Sequence, residues 1–173
     1  PDDMGINQIE ESRYSLTGSR GASWFSTLKT LGFHDCRSSQ RFIPPIYLHA
    51  STQQRWELLQ GLMDTDGSCT EDGKSTFSSN SKALVEGVMW LVRSLGGTAR
   101  WASTGKCNHF KTLVRVNMPM FRLPRKLTRQ KPLRNNMVSI QSITRIADEP
   151  SQCIAVDNEE RQFVAGFDLV RTH

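Results

Sequence analysis

The chain has 173 residues, 37% of them hydrophobic and 23% charged, with a formal net charge of +5 and an isoelectric point near 9.3. That length accommodates one or two small domains with a real core. The mean hydropathy of -0.46, and the lack of any apolar run near the ~20 residues of a membrane span, argue against a membrane partner.

Residues 1–40 are polar and punctuated by glycine. The start, Pro1-Asp2-Asp3-Met4, has neither a secretory signal nor an initiating methionine, so a fragment or processed chain is expected, located inside a cell or a phage-infected host. Residues 23–32 read as a short helix with Trp24, Phe25, Leu28 and Leu31 on one face and Gly32 as a left-handed cap. Residues 41–47 contain Pro44-Pro45 and read as an extended lead-in. Ser51 is the expected N-cap of the next helix, with Gln54 at capping-box spacing.

That helix, expected over 52–63, carries Leu58, Leu59, Leu62 and Met63 at helical spacing with Gly61 among them, and leads into Asp64-Thr65-Asp66-Gly67. A glycine inside a helix costs roughly 1 kcal/mol against alanine and is best tolerated where another backbone comes close. Two acids at a helix C-terminus oppose the macrodipole and need compensation, which a divalent cation could supply. Taken alone, Asp-x-Asp-Gly is a common turn. A calcium loop is rejected, because position twelve counted from Asp64 is Ser75 rather than glutamate.

Beyond Gly67 the pattern predicts a polar turn over 68–73, a strand over 75–78, and a helix over 82–95 capped by Ser79 or Ser81. Leu84, Val88, Leu91, Val92 and Leu95 form the core stripe of that helix, and Gly96-Gly97 ends it. Strands follow at 98–101 and 112–118, the second with Val114, Val116 and Met118 on one side and Arg115 and Asn117 on the other. A basic run without acids comes next: Arg115, Arg122, Arg125, Lys126, Arg129, Lys131 and Arg134. It is either a solvated face or a phosphate-contacting surface. The four cysteines, Cys36, Cys69, Cys107 and Cys153, are isolated and read as free thiols, not a zinc site.

The string Leu58-Leu59-Gln60-Gly61-Leu62-Met63-Asp64-Thr65-Asp66-Gly67 resembles the dodecapeptide motif of LAGLIDADG (DOD-type) homing endonucleases in the form carried by inteins. The approach segment before it, residues 23–57, resembles the run up to their second dodecapeptide. The resemblance implies an α+β fold, one αββαββα-like endonuclease half over residues 1–131, making metal-dependent double-strand cuts in DNA. It implies Gly61 at the crossing of two helices and Asp66 as the metal ligand, with Asp64 structural. The cofactor implied is a divalent cation, Mg2+ being expected, and the partner is double-stranded DNA. The sheet face would lie in the major groove, with Thr76, Arg100, Lys111, Arg115 and Asn117 as candidates and Arg125 and Arg129 as further DNA contacts. Phe121-Arg122-Leu123-Pro124-Arg125-Lys126 resembles the segment that carries an active-site lysine, which places that role at Lys126; the plainer alternative is a phosphate-neutralising cation.

Residues 132–173 read as a second, all-β region behind a linker at 132–136, with strands at 138–146, 153–157, 162–166 and 167–170. A β tail of this size needs a partner to bury a core. The blocks Cys153-Ile154-Ala155-Val156-Asp157-Asn158, Phe163-Val164-Ala165-Gly166 and Leu169-Val170-Arg171-Thr172-His173 resemble the C-terminal splicing blocks of inteins, part of a Hint (horseshoe) domain. His173 then matches the penultimate histidine that assists asparagine cyclisation, a task suited to an imidazole. Cys153 stands where aspartate is commoner, and Arg161 lies near a usual histidine. The terminal asparagine, the following nucleophile, the N-terminal splicing segment and the first dodecapeptide are not in the sequence. The expected partners are therefore a missing N-terminal half, in cis or in trans, and the exteins of a host. Hosts of such inteins are usually replication, packaging or nucleotide-metabolism proteins. The isolated chain is expected neither to splice nor to cut; a DNA-binding remnant or a split-intein half is the alternative.

Overall fold

The computed structural model describes residues 5–10, 13–17, 19–33, 35–132, 142–167 and 169–172. Its centre is an antiparallel four-stranded sheet with the order β3-β4-β6-β5, formed by β3 (Gly67–Cys69), β4 (Ser75–Ser79), β5 (Thr98–Ala102) and β6 (Phe110–Arg115). Two helices, α3 (Thr52–Thr65) and α4 (Lys82–Ser94), pack against this unit and against each other. With α5 (Pro124–Leu127) the order from α3 onward is helix, two strands, helix, two strands, helix.

The register assigns a face to every strand residue. Phe77 lies opposite Gly67 and Thr112, while Ser75 and Ala99 both lie opposite Val114. These side chains turn toward the helices, where Phe77, Val114 and Thr112 are fully buried. From α4 come Leu84, Val85, Val88, Met89, Leu91 and Val92, and from α3 come Trp56, Leu59 and Met63. Burying each such side chain contributes roughly 1.5–3 kcal/mol. Ser51 caps α3 as expected: its hydroxyl accepts the Gln54 N–H, and the Gln54 amide oxygen accepts the Ser51 N–H at 3.2 Å. Ser81 caps α4 through the Leu84 N–H and also donates to the Arg41 carbonyl.

Several expectations are corrected. The N-terminal stretch contains a hairpin of β1 (Gly5–Glu10) and β2 (Arg13–Thr17) that the composition did not suggest. Helix α1 (Ser19–Thr30) starts earlier than read, and its Trp24 and Phe25 are exposed, not turned to a core. Residues 45–48 form the helical turn α2 (Pro45–Leu48), because Pro45 occupies the first helical position, where proline's fixed φ fits and its missing N–H is not needed. The polar turn expected over 68–73 shrinks, since Gly67–Cys69 pairs with β4 as a strand. Strand β6 begins and ends earlier than read, and Met118 is 51% exposed.

Among the described residues the C-terminal region holds one hairpin, β7 (Phe163–Ala165) with β8 (Val170–Thr172). Of the strand expected over 138–146, residues 138–141 lie outside the described residues and 142–146 are not in a strand. The strand expected over 153–157 is irregular and largely exposed. Alternation supplies one apolar face, and with no facing layer against it among the described residues Ile143 is 88% exposed and Ile154 59%. The hairpin turn touches the end of α4: the Arg93 guanidinium lies 4.7 Å from the Phe167 ring centroid and donates to its carbonyl at 3.4 Å. Among the described residues no helix is long and apolar enough to cross a membrane.

Candidate nucleic-acid interface and acid-bearing helix end

The sheet face turned away from the helices carries the residues between the core positions. One cross-strand row runs Ser68, Thr76, Leu113, Arg100, and the next holds Ser78, Lys111 and Ala102. Arg115 lies opposite Thr98 on this same face. Three of the expected DNA contacts, Arg100, Lys111 and Arg115, are thus brought onto one surface together with Thr76. Arg100 and Arg115 are exposed and Lys111 half-buried. No hydrogen bond or ion pair engages these three side chains among the described residues. Ser68 and Thr76 add two hydroxyls, 2.8 Å apart. Asn117 lies beyond the end of β6, outside this array. Arg125 is exposed on α5, and Arg129 reaches the Cys69 carbonyl at 3.5 Å.

At the end of α3 the two acids have different surroundings. The Asp64 carboxylate accepts the backbone N–H of Arg122 at 3.1 Å and that of Leu123 at 3.2 Å. One turn earlier, the Gln60 amide donates to the Pro119 carbonyl at 2.9 Å and accepts from Arg122 Nε at 2.9 Å. Asp64 is therefore committed to holding the 119–123 segment. Asp66 is the C-cap of α3, with its N–H bonded to the Leu62 carbonyl at 3.0 Å. Its carboxylate is exposed and makes no hydrogen bond or ion pair among the described residues.

Lys126 turns its side chain back onto the end of α3. Its ammonium is buried and donates to the carbonyls of Met63 at 3.0 Å, Asp64 at 2.7 Å and Gly67 at 2.6 Å. All three N–H donors are used. Burial lowers its pKa, as does neighbouring Arg125, while Asp64 and Asp66 pull it up. The compensation that the acidic helix end requires thus comes from within the chain: the cation is Lys126, standing on the last carbonyls of α3. In this structure the ammonium faces the chain's own carbonyls and not the surface. The signal was present in the sequence as two acids at a helix end followed by a basic run, although nothing in the run distinguished Lys126 from its neighbours.

Glycine has opposite uses at the two ends of this stretch. A Cβ on Gly67 would meet the Met63 carbonyl oxygen at 2.5 Å, so only glycine lets β3 leave the helix so tightly. A Cβ on Gly61 would meet nothing within 4 Å. The close approach expected at Gly61 has no counterpart among the described residues, which leave that face of α3 open. Cys153 is exposed with a free thiol, and His173 lies outside the described residues. No three His, Cys, Asp or Glu side chains cluster as a metal site among the described residues.

No family model matches the chain. A curated relative, the replicative DNA helicase DnaB of Mycobacterium intracellulare, is 29% identical over 181 residues, which cover 97% of this chain. The chain spans 30% of that relative's length.

Proposed function

We propose that the chain is the C-terminal part of an intein bearing a LAGLIDADG-type endonuclease region, which lays the free face of its sheet on double-stranded DNA and supplies one acid to a cleavage centre. The observation that carries this reading is the pairing of two features in one small unit. Helix α3, which bears the dodecapeptide-like string, ends in an unpartnered carboxylate at Asp66, and the adjoining sheet turns Arg100, Lys111 and Arg115 outward together. A basic face of free guanidinium and ammonium groups suits phosphates. The relative also supports the reading, since a replicative helicase is a replication protein, the class of host that the resemblance implies.

The residues present suit a hard divalent cation. Asp66 offers carboxylate oxygens, and Mg2+ is commonly held by only one or two carboxylates with waters and phosphates completing its shell. Bound there, the cation would supply charge neutralisation at a scissile phosphate. The chain's own share is to hold Asp66 at the end of a fixed helix and to orient the duplex through the sheet. A second acid would come from a facing helix, for which Gly61 leaves room. Residues 132–173, with Cys153 and His173, would belong to the splicing domain; the order of the blocks Cys153–Asn158, 163–166 and 169–173 supports this.

A DNA-binding remnant without nuclease activity is the second reading, favoured by Asp64 being engaged by the Arg122 and Leu123 N–H groups, which leaves Asp66 as the one acid of the helix end to offer. A nucleotide-binding segment of the helicase itself fits poorly. Gly73-Lys74-Ser75 is the nearest approach to a phosphate-binding loop, but it closes a hairpin into β4 instead of opening a helix, and Lys74 is paired with Asp72 at 2.8 Å. The test is to express the full reading frame with its flanking sequence and assay double-strand cleavage with Mg2+. Asp66→Asn should abolish cleavage while sparing DNA binding. Cleavage that survives Asp66→Asn overturns the assignment; binding without cleavage in the complete frame leaves the remnant.

A further inference from the structure

The 119–126 segment and the last two turns of α3 bind each other reciprocally. Asp64 takes the Arg122 and Leu123 N–H groups, and Lys126 returns its ammonium to the carbonyls of Met63, Asp64 and Gly67. Gln60 adds the Pro119 and Arg122 contacts. We propose that this segment is a latch and that Lys126 is its positioning residue, fixing the direction of Asp66 without touching DNA, water or cation itself. The inference rests on the reading of Asp66 as the cation ligand.

Two features separate a latch from a phosphate contact. The three ammonium hydrogens converge on three carbonyls, leaving none for another acceptor. Two of those carbonyls, Asp64 and Gly67, belong to residues within two of Asp66, so the ammonium constrains the backbone on both sides of the acid. Freed, the helix end would fray, and the Asp66 carboxylate would swing against a dipole no longer neutralised. A guanidinium is planar and cannot place three hydrogens on carbonyls gathered around one point, so arginine should not replace Lys126. At a phosphate, arginine would serve as well or better.

The test uses the full reading frame and the variants Lys126→Met and Lys126→Arg. A latch predicts that both lower the maximal cleavage rate by about 10–100-fold, the order of loss that follows from misplacing a reacting group. It also predicts that DNA affinity and its salt dependence stay at the parent values. In a parallel amide exchange measurement, Asp66 and Gly67 should exchange faster while the centre of α4 is unchanged. A salt slope reduced by about 1 in Lys126→Met, with recovery in Lys126→Arg, would instead make Lys126 a phosphate contact and overturn the proposal. The exchange readout needs neither DNA nor cleavage, so failure of the nuclease reading and failure of the latch are distinguishable. Should Lys126→Met not fold, Asp64→Asn loosens the other half of the latch. Faster exchange at Asp66 in that variant supports the proposal, and unchanged exchange refutes it.

Discussion

The buried hydroxyl of Thr112 donates to the Arg100 carbonyl at 3.0 Å, so β5 is held from the core side of the sheet while the Arg100 side chain stands on the other. Fold and candidate interface are thereby separable at this position. Removing the guanidinium leaves the carbonyl and its hydrogen bond in place.

The outward cations should act on DNA and not on stability. Arg100→Ala, Lys111→Ala and Arg115→Ala are each expected to change unfolding free energy by no more than about 0.5 kcal/mol. Removing one phosphate-neutralising charge should reduce the slope of log affinity against log salt by about 0.9. Fluorescence anisotropy on duplex DNA between low and physiological salt reads this directly. Unchanged slopes for all three variants would remove this face from the interface.

Gly61→Ala should separate the isolated chain from its assembly. With no atom within 4 Å of the added methyl, the helix gains propensity, and a stabilisation of up to about 1 kcal/mol is expected in urea denaturation. If a second helix crosses here in the complete protein, the same methyl weakens that association. Adding a separately made N-terminal half to parent and variant, and measuring complex formation, checks the second part. Equal association would put the crossing elsewhere.

Ser51→Ala breaks the side-chain half of the capping box on α3, because Ser51 Oγ accepts the Gln54 N–H and donates to the Gln54 amide oxygen, while the Ser51 backbone N–H keeps its bond to that oxygen. A loss of about 1 kcal/mol is expected. Thermal unfolding followed by far-ultraviolet circular dichroism would register it.

The tip of the β3–β4 hairpin gives a pH dependence with a defined sign. The Asp72 carboxyl is held at about 2, below its ordinary 3.8, first by Lys74 at 2.8 Å and then by the Thr70 hydroxyl. A depressed carboxyl contributes its stabilisation fully above the unfolded value and loses it as pH falls through the folded one. The contribution is therefore present above pH 3.8 and lost on descending to about 2. Carboxyl-carbon NMR titration should show the low midpoint, and Lys74→Ala should move it back toward 3.8.

What could be read from sequence follows from how local each signal is. The capping box at Ser51 and Gln54 and the stripe Leu84, Val88, Leu91, Val92 are decided within a few residues, and both appear where expected. The β1–β2 hairpin escaped because its strand β1 is exposed along its whole length, leaving no alternation of buried and exposed positions to detect. Met118 was read as inward by extending a period of two past the point where β6 ends. In the candidate site, the common face of Arg100 and Lys111 depended on a register that only the pairing of β5 with β6 supplies. The burial of Lys126 was hidden for a similar reason: its three acceptors lie about sixty residues back in the chain.

That separation also bears on the order in which the protein is made. Among the described residues the last buried apolar residue of the core is Phe121, so a chain ending there would contain every described side chain of the hydrophobic cluster. It would still lack the ammonium that closes α3, made some sixty residues after the carbonyls it serves. During synthesis, the acid-bearing tip emerges early and is completed only by a residue that follows the core. The helix end that bears Asp66 is therefore finished after the scaffold around it, and a chain cut between Phe121 and Lys126 would keep the core side chains of the described residues while leaving that tip undone.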